Sequence, residues 1–176
     1  MIRHLALATA ILLALPVAAQ APRDGAHDFD FDLGVWKTHI VRRLDPLGAS
    51  EATIELNGTV TVRKLWGGRA QVEEIEADGP KGHWEGMTVF LYDPQAHQWS
   101  MNFANSGAGK FTTPMIGSFA DGRGELIGTD TIDGRAILVR AVWSNIAPTT
   151  HTYQESYSVD GGRTWRVAFT ATKTKA

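Results

Sequence analysis

Apolar and polar residues alternate with a period of two along most of this chain. Trp99, Met101 and Phe103 stand against Gln98, Ser100 and Asn102. Trp165, Val167, Phe169 and Ala171 stand against Arg166, Ala168, Thr170 and Thr172. This is the pattern of strands with one face toward a core. Ten such segments, rich in branched and aromatic residues, are expected over 36–44, 59–65, 69–77, 84–92, 98–104, 115–119, 125–131, 137–143, 152–159 and 165–172. No window carries a helical apolar stripe.

Turn signals punctuate these segments about every dozen residues. They are Asp45-Pro46-Leu47-Gly48, Asn57-Gly58, Gly67-Gly68, Asp78-Gly79-Pro80, Asp93-Pro94, Asp121-Gly122, Asp133-Gly134 and Asp160-Gly161-Gly162. Asn-Gly and Asp-Gly accept the positive φ of tight hairpin turns. Consecutive strands joined by short turns make an antiparallel meander. Ten strands in one open sheet would leave long exposed edges, so the expected fold is all-β, a single meander closed into a barrel, with a two-sheet sandwich as the alternative.

The N-terminus departs from this pattern. A basic start, Met1-Ile2-Arg3-His4, precedes an apolar run over 5–15 and the small residues Val17-Ala18-Ala19. That layout predicts a secretory signal over 1–19, too short to span a bilayer, with cleavage after Ala19. Residues 20–28 read as a flexible linker and 29–174 as the barrel domain, exported to the periplasm or secreted, with no transmembrane segment. Removal of Arg3 with the leader leaves 16 basic against 19 acidic residues, a net −3. So weak a charge argues against nucleic acid as a partner. The absence of cysteine excludes disulfides and thiolate metal sites.

Gly34-Val35-Trp36 on the first strand resembles the lipocalin and wider calycin signature. There the tryptophan plugs the barrel base and an arginine from a late strand packs on it, here Arg166 or Arg163. Further stretches, Asp28 to Trp36, Gly67-Gly68-Arg69-Ala70, Glu85-Gly86-Met87, Leu91-Tyr92-Asp93-Pro94, Trp143-Ser144-Asn145-Ile146 and Asp160 to Trp165, resemble a family of uncharacterised bacterial calycin-like proteins. The resemblance implies a calycin-like barrel and carries no catalytic residues with it. Ser158-Val159-Asp160-Gly161-Gly162-Arg163-Thr164-Trp165 also matches the Asp-box pattern of sialidase propellers, and a single copy reads as a hairpin device.

Candidate site residues come from polar groups on otherwise apolar strand faces. Arg140 lies between Leu138 and Val142, Glu155 alternates with Tyr153 and Tyr157, and Glu74 shares a face with Ala70 and Val72. Arg140 and Glu155, on adjacent strands, are expected to pair: as a polar anchor if inside the barrel, or as a surface bridge if outside. With Trp36 and Trp99 as aromatic walls, Trp36, Glu74, Trp99, Arg140, Tyr153, Glu155 and Tyr157 are the expected ligand-binding set. The partner expected is a small apolar or amphipathic molecule in the lumen. A cofactor-independent enzyme using Glu155 or Glu74 as base is the alternative, and no nucleophile elbow, phosphate loop or other catalytic motif supports a reaction class. Histidines lack metal-ligand spacing, so no metal is expected. No cofactor is expected either, with one exception to weigh: nitrobindin-like barrels hold haem through a late histidine, for which His151 is the candidate. The loop over 104–113 is polar and placed to cover a barrel mouth.

Overall fold

The computed structural model describes residues 24–176; the expected signal over 1–19 lies outside them. After a short 3₁₀ turn, η1 (Asp30–Asp32), ten strands follow in a meander. They are β1 (Gly34–Arg43), β2 (Thr53–Leu65), β3 (Ala70–Gly79), β4 (Gly82–Asp93) and β5 (Gln98–Asn105). β6 (Met115–Ala120), β7 (Arg123–Ile132), β8 (Arg135–Ala147), β9 (Thr150–Ser158) and β10 (Arg166–Lys175) complete the series, with a second 3₁₀ turn, η2 (Trp66–Gly68), between β2 and β3. Every strand pairs antiparallel with its sequence neighbours and β10 returns to β1, closing the barrel. The ring closes, with its thinnest seam between β5 and β6, which pair over three residues, and the sandwich alternative does not apply.

Local chemistry explains the hairpins. Asp121-Gly122 joins β6 to β7 and Asp133-Gly134 joins β7 to β8, and all four residues have φ between 51° and 76°. That is the left-handed pair a type I′ turn requires. Asn57-Gly58 behaves differently, lying inside β2 opposite Ala77 and Thr38. A Cβ on Gly58 would stand 2.0 Å from the Glu76 carbonyl oxygen, so this glycine serves a close approach of strands rather than a turn.

The ring has two ends of different character. At the base, Phe29 is fully buried and packs on Phe90, Trp99, Phe119 and Trp143, with centroids 4.6–5.1 Å away. Trp36, Trp99 and Trp143 are 0–2% exposed. Residues 24–28, part of the expected linker, are held here too. The Trp99 indole N–H donates to the Gly25 carbonyl (2.9 Å), and the Tyr92 hydroxyl donates to Asp24 (2.7 Å). The segment therefore plugs the base. Trp36 sits at the bottom as expected of the calycin pattern, and its indole N–H donates to the Asp32 carbonyl (2.7 Å).

The cation over Trp36 is Lys175 (4.0 Å), not Arg166 or Arg163. Antiparallel pairing places Lys175 across from Trp36, whereas Arg166 starts β10 at the opposite end and bonds Glu51 (2.7 Å). The Asp-box sequence is a hairpin device, as expected. Asp160 accepts from the Thr164 amide (2.9 Å), the Thr164 hydroxyl (2.7 Å) and Ser158 (2.8 Å). The mouth loop after β5 is pinned by Thr112, whose amide donates to the Phe103 carbonyl and whose hydroxyl accepts from the Phe103 amide.

Candidate functional site

Strand pairing fixes which residues share the lumen. Trp143, Ala141 and Val139 of β8 stand opposite Tyr153, Glu155 and Tyr157 of β9. Ala141, Val139 and Trp143 belong to the central apolar cluster, against which Tyr153 and Tyr157 pack, so Glu155 between them also faces inward. Glu155 is gripped by its strand neighbours: Tyr153 donates to Oε2 (3.1 Å) and Tyr157 to Oε1 (2.6 Å). Burial raises the Glu155 carboxyl above its usual range of about 4.5; the bonds from Tyr157 and Tyr153 act in the opposite direction without cancelling it. Asp130 pushes the carboxyl further up and Arg42 pulls it down. Both phenols are raised as well, by burial first and then by the neighbouring carboxylate.

Three of the expected site residues, Tyr153, Glu155 and Tyr157, thus meet inside the barrel. The others are placed elsewhere. Arg140 pairs with Ser156, one residue out of step with the Ala141–Glu155 pair, so it faces outward. There its guanidinium lies 4.4 Å from the Trp165 ring. The expected Arg140–Glu155 pair does not form. Glu74 is also outside, exposed and 3.5 Å from Arg63, because the inward residues of β3 are Gln71, Glu73, Ile75 and Ala77. Trp36 and Trp99 are sealed into the base and do not line an open cavity. The arginine that faces the lumen is Arg42, opposite Ile54 and Phe169 at the mouth.

A polar group that sequence reasoning missed lies between base and mouth. Lys173 is 3% exposed, and its ammonium donates to both oxygens of Asp32 (3.1 Å each) and to Glu73. Glu73 also accepts from Thr88 (3.1 Å), and His151 Nε2 stands 3.0 Å from Asp32. Burial by itself would favour the neutral forms, yet Lys173 and His151 together lower the Asp32 pKa, while Asp32 and Glu73 raise that of Lys173. The pair stays ionised. Lys173 follows Phe169 and Ala171 at the inward period of β10, a signal present in the sequence. His151 is fully buried, its ring edge-on to Trp36 (4.6 Å) and Phe31 (5.0 Å). The histidine that the nitrobindin comparison points to is thus enclosed in the base beside Asp32.

The inward side chains of the mouth half keep partial exposure. Ile54, Ile75, Trp84, Phe103, Tyr153, Tyr157 and Phe169 are all half-buried, in contrast to the sealed base. A cavity of about 160 Å³ opens there, lined by Arg42, Ile54, Leu56, Trp84 and the β3–β4 turn. Its walls Leu56, Ile54 and Trp84 belong to the same apolar cluster as Tyr153 and Phe169. A second concavity of about 280 Å³ is lined by both faces of β3 to β5, including Glu74, Gly86 and Asn105, and Glu155 lines neither of the two.

Known structures share this architecture at low sequence identity. The S-type phycobiliprotein lyase CPES from Guillardia theta superposes with a TM-score of 0.57 at 11% identity, over 88% of this chain and 94% of the lyase. A structure of EF1p2_mFAP2b bound to DFHBI matches with a TM-score of 0.48 at 9% identity, over 86% and 99% of the two chains. A de novo designed fluorescence-activating β-barrel gives 0.46 at 12% identity, over 88% and 99%. The first of these shows a common fold; the other two fall below the level at which a superposition supports an argument. No family model matches the chain, and no curated protein matches it in sequence.

Lys173→Met strands two buried carboxylates, and the expected cost is about 3–5 kcal/mol. Urea unfolding measures it, and adding Asp32→Asn and Glu73→Gln to the same chain recovers part of the loss. Glu155 acts in the opposite sense with pH. Its folded pKa is raised, so the folded state holds the proton more tightly than the unfolded chain. Its contribution is full below the ordinary carboxylate range and fades as pH rises through the folded value. Glu155→Gln therefore gains stability relative to the natural chain as pH rises from 4.5, measured by melting curves in a pH series.

Proposed function

We propose that this chain is an exported barrel that binds a small lipophilic or amphipathic molecule in the mouth half of its lumen. The observation that carries this reading is the contrast between the two halves. The base is packed solid around Phe29, Trp36, Trp99 and Trp143, while the inward aromatics above it remain half-buried and share that half with Glu155, Asp130 and Arg42. Apolar walls with a few polar groups are the usual make-up of a small-molecule site. A 160 Å³ cavity is below the range of about 300–1,000 Å³ typical of drug-sized ligands, which suits a short molecule or the head of a longer one. The likeness to the phycobiliprotein lyase is one of fold and supplies no ligand.

A second reading is favoured by one observation. Glu155 lies inside the barrel with a raised pKa, where a general acid or base belongs. Arg140 is not available to stabilise a developing charge in that mechanism, and Arg42 is the lumenal arginine that takes its place.

Trp84 lines the mouth cavity and reports on binding. Titration with short alkyl and aryl compounds is expected to quench tryptophan fluorescence saturably, with the change reduced in Trp84→Phe. A panel spanning amines, alcohols and acids that gives no response below about 1 mM would sink the proposal. Export has its own test. Protein recovered from the periplasm or medium of an expressing bacterium should have an intact mass that starts at Gln20, and retention of Met1 would contradict the leader reading.

A further inference from the structure

The two buried acidic centres of this barrel are treated differently by the fold. Asp32 and Glu73 are matched within the protein by Lys173. Among the described residues, no lysine, arginine or histidine nitrogen comes within 4.0 Å of Glu155. What Glu155 receives instead is one phenol hydrogen on each oxygen. A carboxylate has about four lone-pair sites, so each oxygen keeps accepting capacity beyond its one phenol. Removing a carboxyl from water without a counter-ion is costly, and a fold that has a lysine for one such site has none for this one.

Tyr153 lies 6.0 Å from Phe169 and 5.1 Å from Trp143, ring to ring, so a phenol that holds the carboxyl is itself packed among aromatic rings. Trp84 and Phe103 stack at 6.1 Å across Gly86, which leaves no room for a Cβ between them (2.8 Å and 3.0 Å). Aromatic faces attract cations and repel carboxylates. The charged groups that face Glu155 from the elements around it are Asp130 on β7 and Arg42 on β1. β8 presents Val139 and Ala141, and β10 presents Phe169 and, opposite Tyr157, Arg166, which is bonded to Glu51. Two carboxylates thus face the mouth half of the lumen; of the guanidiniums there, Arg42 is exposed at the rim and Arg166 is taken up by Glu51 (2.7 Å).

We propose that the lumenal site selects molecules carrying a protonated nitrogen, an alkyl or aryl ammonium, which docks on Glu155 with its apolar part against Trp84, Phe103 and Phe169. This rests on the ligand-binding reading above and names the chemistry of its head group. Desolvation makes the unliganded carboxyl hold its proton to higher pH than usual, so an arriving ammonium displaces that proton and binds more tightly as pH rises.

Octylamine, octanol and octanoate separate the possibilities, measured by isothermal titration calorimetry on the mature chain. Octylamine is expected to bind at least about tenfold more tightly than the other two, and Glu155→Gln to bring all three within about twofold. Octylamine affinity should rise between pH 4.5 and about 8 while that of octanol stays flat. If none of the three binds, the ligand-binding reading falls and this one with it. Equal binding of all three, or tightest binding of octanoate, leaves a lipophile barrel and overturns the ammonium assignment. An octylamine preference that survives Glu155→Gln also overturns it. Circular dichroism checks that the variant is folded. Should it not be, the pH series on the natural chain decides, and an octylamine affinity flat with pH is the overturning result.

Discussion

The closing pair of strands, β10 against β1, is the constraint on which the rest of the molecule depends. One register, Trp36 opposite Lys175 and Thr38 opposite Lys173, brings the last strand to the first across the whole length of the chain. It places Lys173 inside, within reach of Asp32 from the plug segment and Glu73 from β3. A slip of one residue would turn Lys173 outward and leave both carboxylates buried and unpaired. The ion group therefore makes the register specific as well as the ring closed. Lys175 adds to this from above Trp36, where the Leu33 carbonyl accepts from its ammonium.

From that closure follows a division of labour along the barrel axis. Near the base the fold matches large apolar surfaces with one another and buried charges with opposite charges. Towards the mouth it leaves aromatics half-covered and a carboxyl with only phenols for company. Burial raises the Glu155 pKa, whereas ion pairing lowers that of Asp32 although Asp32 is fully buried. The same physical cost, desolvation of a carboxylate, is offset at one site and left standing at the other. A charge left without a counter-ion in a partly open lumen is where binding energy is available to a ligand.

Strand count and most turns were legible in the sequence because their causes are local. Asp-Gly pairs adopt positive φ whatever surrounds them, and a period of two is visible within six residues. Asn57-Gly58 shows the limit of this reasoning. The same dipeptide chemistry that makes a turn also suits a strand crowded by its neighbour, and only the Glu76 carbonyl 2.0 Å from a would-be Cβ decides between them. The alternation read over 165–171 breaks for a related reason. A register shift between Val167 and Phe169 puts Val167 outside while Phe169 stays in.

The candidate site was legible in part. That Tyr153, Glu155 and Tyr157 share a face follows from their spacing alone, since side chains two apart on a strand point the same way. That this face is the inner one, and that Arg140 is on the outer, depends on the pairing of Ala141 with Glu155 and Arg140 with Ser156. By itself the sequence determined an all-β meander, its Asp-Gly hairpins and the makeup of each strand face. Tertiary structure decided which face is the lumen, which cation meets which carboxylate, and which carboxylate is left without one. The reason is physical: a strand's period is a local property, but its parity relative to the barrel axis is set by pairing with residues far away in the chain, as Trp36 pairs with Lys175.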